Sequence, residues 1–331
     1  MSGITHASYY LPEDTLEVAK ILEQIEDPRI SRDEVYNFFV NQNGLERVPI
    51  ERKKDQVEML SLLLDGYFAA GASKPEEIGY VIYTSSYNLL RGNVCIPYLL
   101  QAKYGLVNAS LVLCQQQCIS VLQAIELAGA LIDSGKAENV LILSIVYGFA
   151  EKERFLGTSI LGDGAGLMVV GKNGCQARLA GSASISDGGF SYHRYYEIPE
   201  KGDSFGLSGN IKKGAEFTRL FLEKKKLGLE DVRLLIPLNI NRHGYFMFSR
   251  LSGIRMNKLF LNNLSRGHLA DVDTIMNYAD AIRGQSFNKG DKFLLYGSGT
   301  IGRVDNHDTI HNLVLLEYDG ECGFKEQKEM E

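Results

Sequence analysis

The chain has 331 residues, 45% of them hydrophobic, with 34 glycines, 7 prolines and a formal net charge of -6 from 35 Lys and Arg against 41 Asp and Glu. This is the composition of an ordered globular protein long enough for two halves around a shared core, and it excludes a disordered chain. It equally excludes a broadly basic surface for nucleic acid or for anionic membranes.

In chain order, residues 1–13 lack the basic cluster and apolar run of a secretory signal. Helices are predicted over 15–24 and 52–70, then strands over 80–84 and 110–114. A helix over 119–134 and strands over 139–145 and 166–170 lead to a glycine turn at 171–174. Residues 187–210, rich in Gly, Ser and Tyr, read as a surface excursion. A helix over 214–225, a strand over 233–237, helices over 244–251 and 274–282, and strands over 292–296 and 312–317 follow. Residues 322–331 form a charged tail. Short strands alternating with longer helices predict a layered α/β protein, and the midpoint turn divides it into halves of similar grammar, 1–173 and 174–331. No stretch reaches the roughly 18 apolar residues of a membrane span. The five cysteines are scattered without metal-type pairing, so the expectation is a cytoplasmic protein with thiols and no metal.

The segment from Ser110 to Gly135, SLVLCQQQCISVLQAIELAGALIDSG, carries the most chemistry. Residues 110–114 are apolar enough for a central strand, and 119–132 are apolar on nearly every side, so that helix must be buried. Cys118 stands where the strand hands over to the helix. Unpaired N–H groups and the positive end of a helix favour a thiolate there, which is the condition for a nucleophile.

This segment resembles the active-site stretch of β-ketoacyl-ACP synthase III, a thiolase-fold condensing enzyme. The resemblance extends through residues 161–166 (LGDGAG), the closing run 290–302 (GDKFLLYGSGTIG), the opening 4–14 (ITHASYYLPED) and 43–47 (NGLER). It implies a five-layered αβαβα thiolase-like fold with two pseudo-repeated halves, the first carrying the cysteine. It also implies a homodimer, or a heterodimer with a paralogue. Acyl-CoA or acyl carrier protein would deliver a thioester through a phosphopantetheine tunnel ending at Cys118, with no permanently bound cofactor. Arg242 or Arg250 could meet an acidic carrier.

The chain also departs from that family. Gln115–Gln117 replace alanines, and Ile119-Ser120 replaces the small pair after the cysteine, so Gln117 and Ile119 change the substrate pocket. Condensing members place a His and an Asn beside the cysteine. Here the His position is Leu238 and the Asn position, after a glycine, is His268. Leu238 cannot donate a hydrogen bond to a developing enolate, and losing one such donor costs about 10²–10³ in rate. A single imidazole beside a thiol suits base-assisted acyl transfer instead. Asn239, Asn241, Asp271 and Asp273 are all candidates to orient the His268 ring. The resemblance places the oxyanion hole at the backbone N–H groups of Cys118 and Ser298, the latter in a final glycine turn.

Two motifs are decoys. Residues 297–302 match G-x-G-x-x-G, but no helix follows. Residues 202–206 (GDSFG) match a serine elbow without the preceding strand. The expectation is therefore an acyltransferase that moves an acyl group from Cys118 to a heteroatom nucleophile. Carbon–carbon condensation is the alternative, and a catalytically quiet subunit of a heteromeric synthase is a third.

Overall fold

The computed structural model describes residues 1–28, 30–85, 90–91, 94–196, 207–302 and 307–320. The 202–206 motif, the segment 303–306 and the tail 322–331 lie outside the described residues. In the first part of the chain the elements are β1 (Gly3–Tyr10), β2 (Thr15–Glu17), α1 (Val18–Glu23), α2 (Arg32–Tyr36), β3 (Arg47–Pro49), α3 (Gln56–Ala69) and β4 (Ile78–Ser85). The short pair β5 (Leu90–Arg91) and β6 (Val94–Cys95) precedes α4 (Ile96–Lys103), β7 (Ser110–Cys114), α5 (Ser120–Asp133), β8 (Asn139–Val146) and β9 (Gly164–Gly171). Then come β10 (Ala177–Asp187), α6 (Gly189–Tyr195), α7 (Leu207–Lys224), β11 (Val232–Pro237), α8 (Arg242–Ser252), α9 (Val272–Gly284), β12 (Lys292–Gly302) and β13 (His307–Tyr318).

Nine strands form a sheet in the order β11-β12-β13-β10-β1-β9-β8-β4-β7. Among the described residues its two parts join where Gly3 and Ile4 pair with Arg178 and Ala177. A Cβ on Gly3 would stand 2.4 Å from the Ala177 carbonyl oxygen, so the join needs glycine. Strand residues alternate between two cores, as expected of sheets covered on both faces. Val140, Ile142, Leu234, Ile236, Leu295 and Val314 point into a cluster with Val121, Leu122 and Ile125 of α5 and Ile275 and Tyr278 of α9. Their neighbours Leu141 and Leu143 face Leu60 and Leu64 of α3 and Ile96 of α4, while Leu235 and Leu294 face Phe221 of α7 and Phe248 of α8. The layers are thus α3/α4, sheet, α5/α9, sheet, α7/α8: a thiolase-like αβαβα architecture.

Several local expectations change. Residues 15–17 extend and pair with Arg47–Pro49 instead of starting a helix. The helix expected from 52 starts at Gln56, because Asp55 and Glu58 form a capping box. β7 is the sheet's edge strand, not a central one, and Leu113 is 49% exposed. The 187–210 excursion contains α6, and α7 already runs from Leu207. The glycines of 297–299 lie within β12, paired to β13, and do not form a turn.

A buried ion pair ties this frame to the site. Arg154 and Asp163, each 1% exposed, make two contacts of 3.0 Å, and Arg154 also donates to the Leu161 carbonyl. Between them, Ile160 accepts from the His268 N–H and Gly162 donates to the His268 carbonyl, both at 2.9 Å. Replacing Arg154 by Ala leaves a carboxylate buried without its partner, which costs about 3–5 kcal/mol. Urea denaturation of Arg154→Ala is therefore expected to show a much lower midpoint than the wild type.

Candidate active site

The nucleophile candidate sits on a stapled loop. Ser120 Oγ accepts from the Gln116 N–H at 2.8 Å and donates to the Gln117 carbonyl at 2.7 Å. This folds 116–120 tightly and forces Gln117 to φ 53. Cys118 therefore precedes α5, two residues before its first helical residue, with a half-buried free thiol. Strand β12 passes beneath: a Cβ on Gly299 would lie 3.2 Å from the Gln116 carbonyl oxygen, and one on Gly297 would meet Ile119, Leu122 and Leu238. Ser298, between them, pairs with His311 in the ladder. Ile119 and Leu238 are fully buried and close this side with hydrocarbon; Gln117 is half-buried.

His268, 1% exposed, precedes α9 and is gripped by the backbone of Ile160–Gly162. Its Nε2 lies 3.1 Å from Cys118 Sγ and its Nδ1 2.5 Å from Asp273 Oδ2. Asp273 stands in the first turn of α9 and reaches back along the chain. Its carboxylate also accepts from the N–H groups of Asn239 at 2.7 Å and Leu269 at 2.8 Å, and from the Asn239 side chain at 3.2 Å. Asn239 is held in turn by Asn277 Nδ2 at 2.9 Å, and Asn277 by Asn263. Burial disfavours charge on His268, but the charge of Cys118, then that of Asp273, and hydrogen bonds to both outweigh it and raise the imidazole well above its ordinary value.

Of the four residues that could orient the ring, Asp273 touches it. Asn239 acts on Asp273, not on the ring. Asn241 caps α8 through the Gly244 N–H and donates to the Thr158 carbonyl. Asp271 occupies the cap position of α9, and its carboxylate oxygens find no hydrogen-bond partner at ordinary distance. Sequence reasoning missed the Ser120 staple, Asn277 and the backbone grip of Ile160–Gly162. It had no signal for the strained backbone at Gln117 and Ala270 (φ 48), which lies beside Cys118 and His268.

A family model for 3-oxoacyl-[acyl-carrier-protein] synthase III matches residues 114–188, the segment containing Cys118. The β-ketoacyl-[acyl-carrier-protein] synthase III of Helicobacter pylori (strain Shi470) is 26% identical over 254 residues, 68% of this chain and 75% of that one. The synthase III structure from Aquifex aeolicus VF5 superposes with a TM-score of 0.75 at 20% identity, over 96% of this chain and all of that one. ChlB3, an acyltransferase, gives 0.77 at 18% identity, over 97% and 99% of the two chains. The fold is that of the thiolase-like condensing enzymes. In sequence the chain is similar to β-ketoacyl-ACP synthase III, through the family match at 114–188 and the Helicobacter pylori relative. Among the described residues no helix is long and apolar enough to cross a membrane, and no cluster of His, Cys, Asp or Glu is placed to hold a metal ion.

Two measurements probe these charges. Asp273→Asn removes the charge that helps keep His268 protonated, so alkylation of Cys118 by iodoacetamide at pH 7 should slow at least about tenfold. Burial pushes the Asp271 carboxyl up to about 6, with hydroxyls of Thr84 and Ser144 tempering the rise. A carboxyl raised in the fold supports stability below its unfolded pKa and withdraws that support as pH climbs through the folded value. Asp271→Asn should therefore raise the melting temperature at pH 8 by about 2 °C or more and leave it nearly unchanged at pH 4.

Proposed function

We propose that this protein is an acyltransferase working through an acyl-Cys118 intermediate, with His268 as its general acid and base and Asp273 orienting the ring. The observation that carries this reading is the contact of His268 Nε2 with Cys118 Sγ, backed by a fully engaged carboxylate on Nδ1. Sulfur attacks the carbonyl carbon of a thioester; an S–C bond forms, the donor's C–S bond breaks, and the departing thiolate takes the proton from the imidazolium. An acceptor hydroxyl, amine or thiol then attacks the acyl carbon. His268 takes its proton as the bond to Cys118 breaks, and the thiol is regenerated. The backbone N–H groups of Cys118 and Ser298 are the proposed oxyanion donors.

Acyl-CoA or acyl carrier protein is the proposed donor, in line with the synthase III-like family. A groove of about 500 Å3 lined by Glu34, Val35, Asn37, Phe38, Phe39, Gln42 and Gly157 is the proposed mouth for the pantetheine arm. It borders the start of α8, where Arg242 donates to Asn43 and His243 packs on Phe38. We assign the nucleophile to a half spanning 1–173 and the histidine to a half spanning 174–331. An apolar edge strand, β7, beside the nucleophile supports a dimer through that edge. A soluble cytoplasmic enzyme is the proposed setting.

Carbon–carbon condensation is the second reading, favoured by the names of the synthase III relatives. It asks for two donors on an enolate oxygen, and Leu238 supplies hydrocarbon where one would stand. Intact-protein mass spectrometry after mixing with acyl thioesters should show an adduct that disappears in Cys118→Ala. His268→Ala should slow its formation by about 10²-fold or more. Release of CO2 from a malonyl thioester, dependent on His268, would instead establish condensation.

A further inference from the structure

Beside the proposed catalytic group lies a second set of buried polar atoms that the chemistry above does not use. On the inner face of the sheet, Cys114, Thr84 and Ser144 stand side by side across β7, β4 and β8, since Thr84 pairs with Cys114 on one side and with Ser144 on the other. Asp271, fully buried, covers this row from the cap position of α9, and Thr274 follows on the same face three residues later. Both Asp271 oxygens, Ser144 Oγ and Thr274 Oγ1 are buried with no hydrogen-bond partner at ordinary distance, although the Thr84 and Ser144 hydroxyls lie near enough to act on the carboxyl. Thr84 Oγ1 has one long contact, 3.5 Å, to the Leu143 carbonyl.

The set shares its walls with the nucleophile. Cys118 packs on a cluster of Val146, two residues after Ser144, and of Leu269, Ala270 and Val272, which bracket Asp271 in the chain. Cys114 Sγ reaches the Ser120 carbonyl, at the base of the stapled loop. Native interiors rarely leave several convergent polar atoms unpaired, because each loses its water without compensation. Together they form a receptor for a group that donates several hydrogen bonds. The groups acting most on Asp271 are the two hydroxyls, its own N–H and like-charged Asp273, so nothing cationic is among them. Asp273 is already engaged by His268. The other titratable neighbours that feel the Asp271 charge are Cys114 and, across the strand, Tyr83, both of which it pushes toward their neutral forms.

We propose that Asp271, Ser144, Thr84 and Thr274 form the end of the acyl chamber beside Cys118 and receive the ammonium group of an amine-bearing acyl donor. A primary ammonium offers three N–H donors and a positive charge, matching one carboxylate ringed by hydroxyls. Specificity would come from the penalty on apolar acyl groups, which would leave this polar set buried and unpaired. The inference rests on the acyl-Cys118 reading for its setting, not for its binding chemistry.

Its test compares loading of Cys118 by glycyl, β-alanyl and 6-aminohexanoyl thioesters of N-acetylcysteamine with their acetyl, propionyl and hexanoyl counterparts, followed by mass spectrometry. At one or more lengths the amine-bearing donor should load at least about tenfold faster than its apolar match. In Asp271→Asn that ratio should fall to near one, and in Ser144→Ala it should fall part of the way. Equal or faster loading by apolar donors at every length, or a preference that survives Asp271→Asn, overturns the proposal while leaving the acyl-enzyme intact. If no donor loads Cys118, the acyl-enzyme reading fails, and the receptor is judged by thermal melting with β-alaninamide at pH 7.5. A rise in the wild type that is absent in Asp271→Asn supports it; no rise overturns it. A melting temperature of unliganded Asp271→Asn well below wild type at pH 8 also overturns it, because the carboxylate would then already have a partner.

Discussion

The site depends on one buried carboxylate. Asp273 is withdrawn from water, yet four contacts converge on its two oxygens: the His268 ring, two backbone N–H groups and an asparagine side chain. A buried charge persists where it is paired and hydrogen-bonded on all sides, and this one is. Because two of its partners are backbone, the carboxylate fixes the course of the chain after β11 and before α9 as well as the imidazole. The Tyr245 hydroxyl holds the same stretch by donating to the Leu238 carbonyl at 2.6 Å. Asn277, Asn263 and Asp280 carry the bonding outward to Arg266 and Tyr9 near the surface. A network of this kind is rigid only while every member is satisfied, so the histidine's aim follows from the chain of amides behind it.

The core supplies what the polar network cannot. Helices α5 and α9 lie between the two parts of the sheet, and α5 is apolar on most sides, with Ser120, Gln123 and Glu126 the polar residues of 119–132. That confinement brings the start of α5, with Cys118, against the start of α9, with His268 and Asp273 on its approach. Close contact is bought with small residues at the crossings: a Cβ on Gly166 would stand 2.8 Å from Ile275, and one on Gly162 would strike Pro49 and Leu269. The Cys118–His268 contact is thus assembled from distant parts of the chain by packing, and neither side chain has freedom to drift from the other.

Much of the architecture was legible in the sequence because burial on both faces writes itself as apolar runs. The strands at 80–84, 110–114 and 139–145 and the helix at 119–134 emerged within two residues at each end for this reason. The misreadings have physical causes. β1 and β10 mix small and polar residues with isolated apolar ones and carry no apolar run, so the sequence does not announce them. β7 reads as central because it is apolar, yet it borders the sheet; composition reports burial or partner contact without distinguishing them. At the site, the proximity of Cys118 and His268 could be argued from resemblance, whereas the choice among four orienting residues could not. Asp271 and Asp273 differ by two positions, and only the turn geometry at the head of α9 sends one toward the imidazole and the other toward Thr84 and Ser144.

The proposed mechanism starts from a charged contact between His268, Cys118 and Asp273. The direct measurement is NMR of the His268 ring nitrogens, using protein labelled with 15N in histidine, from pH 6 to 9. Both ring nitrogens should carry protons at pH 8 in the wild type, and replacing Cys118 by Ala should shift the loss of one proton to lower pH. A neutral ring already at pH 7, with the same titration in the presence and absence of the sulfur, would contradict the account.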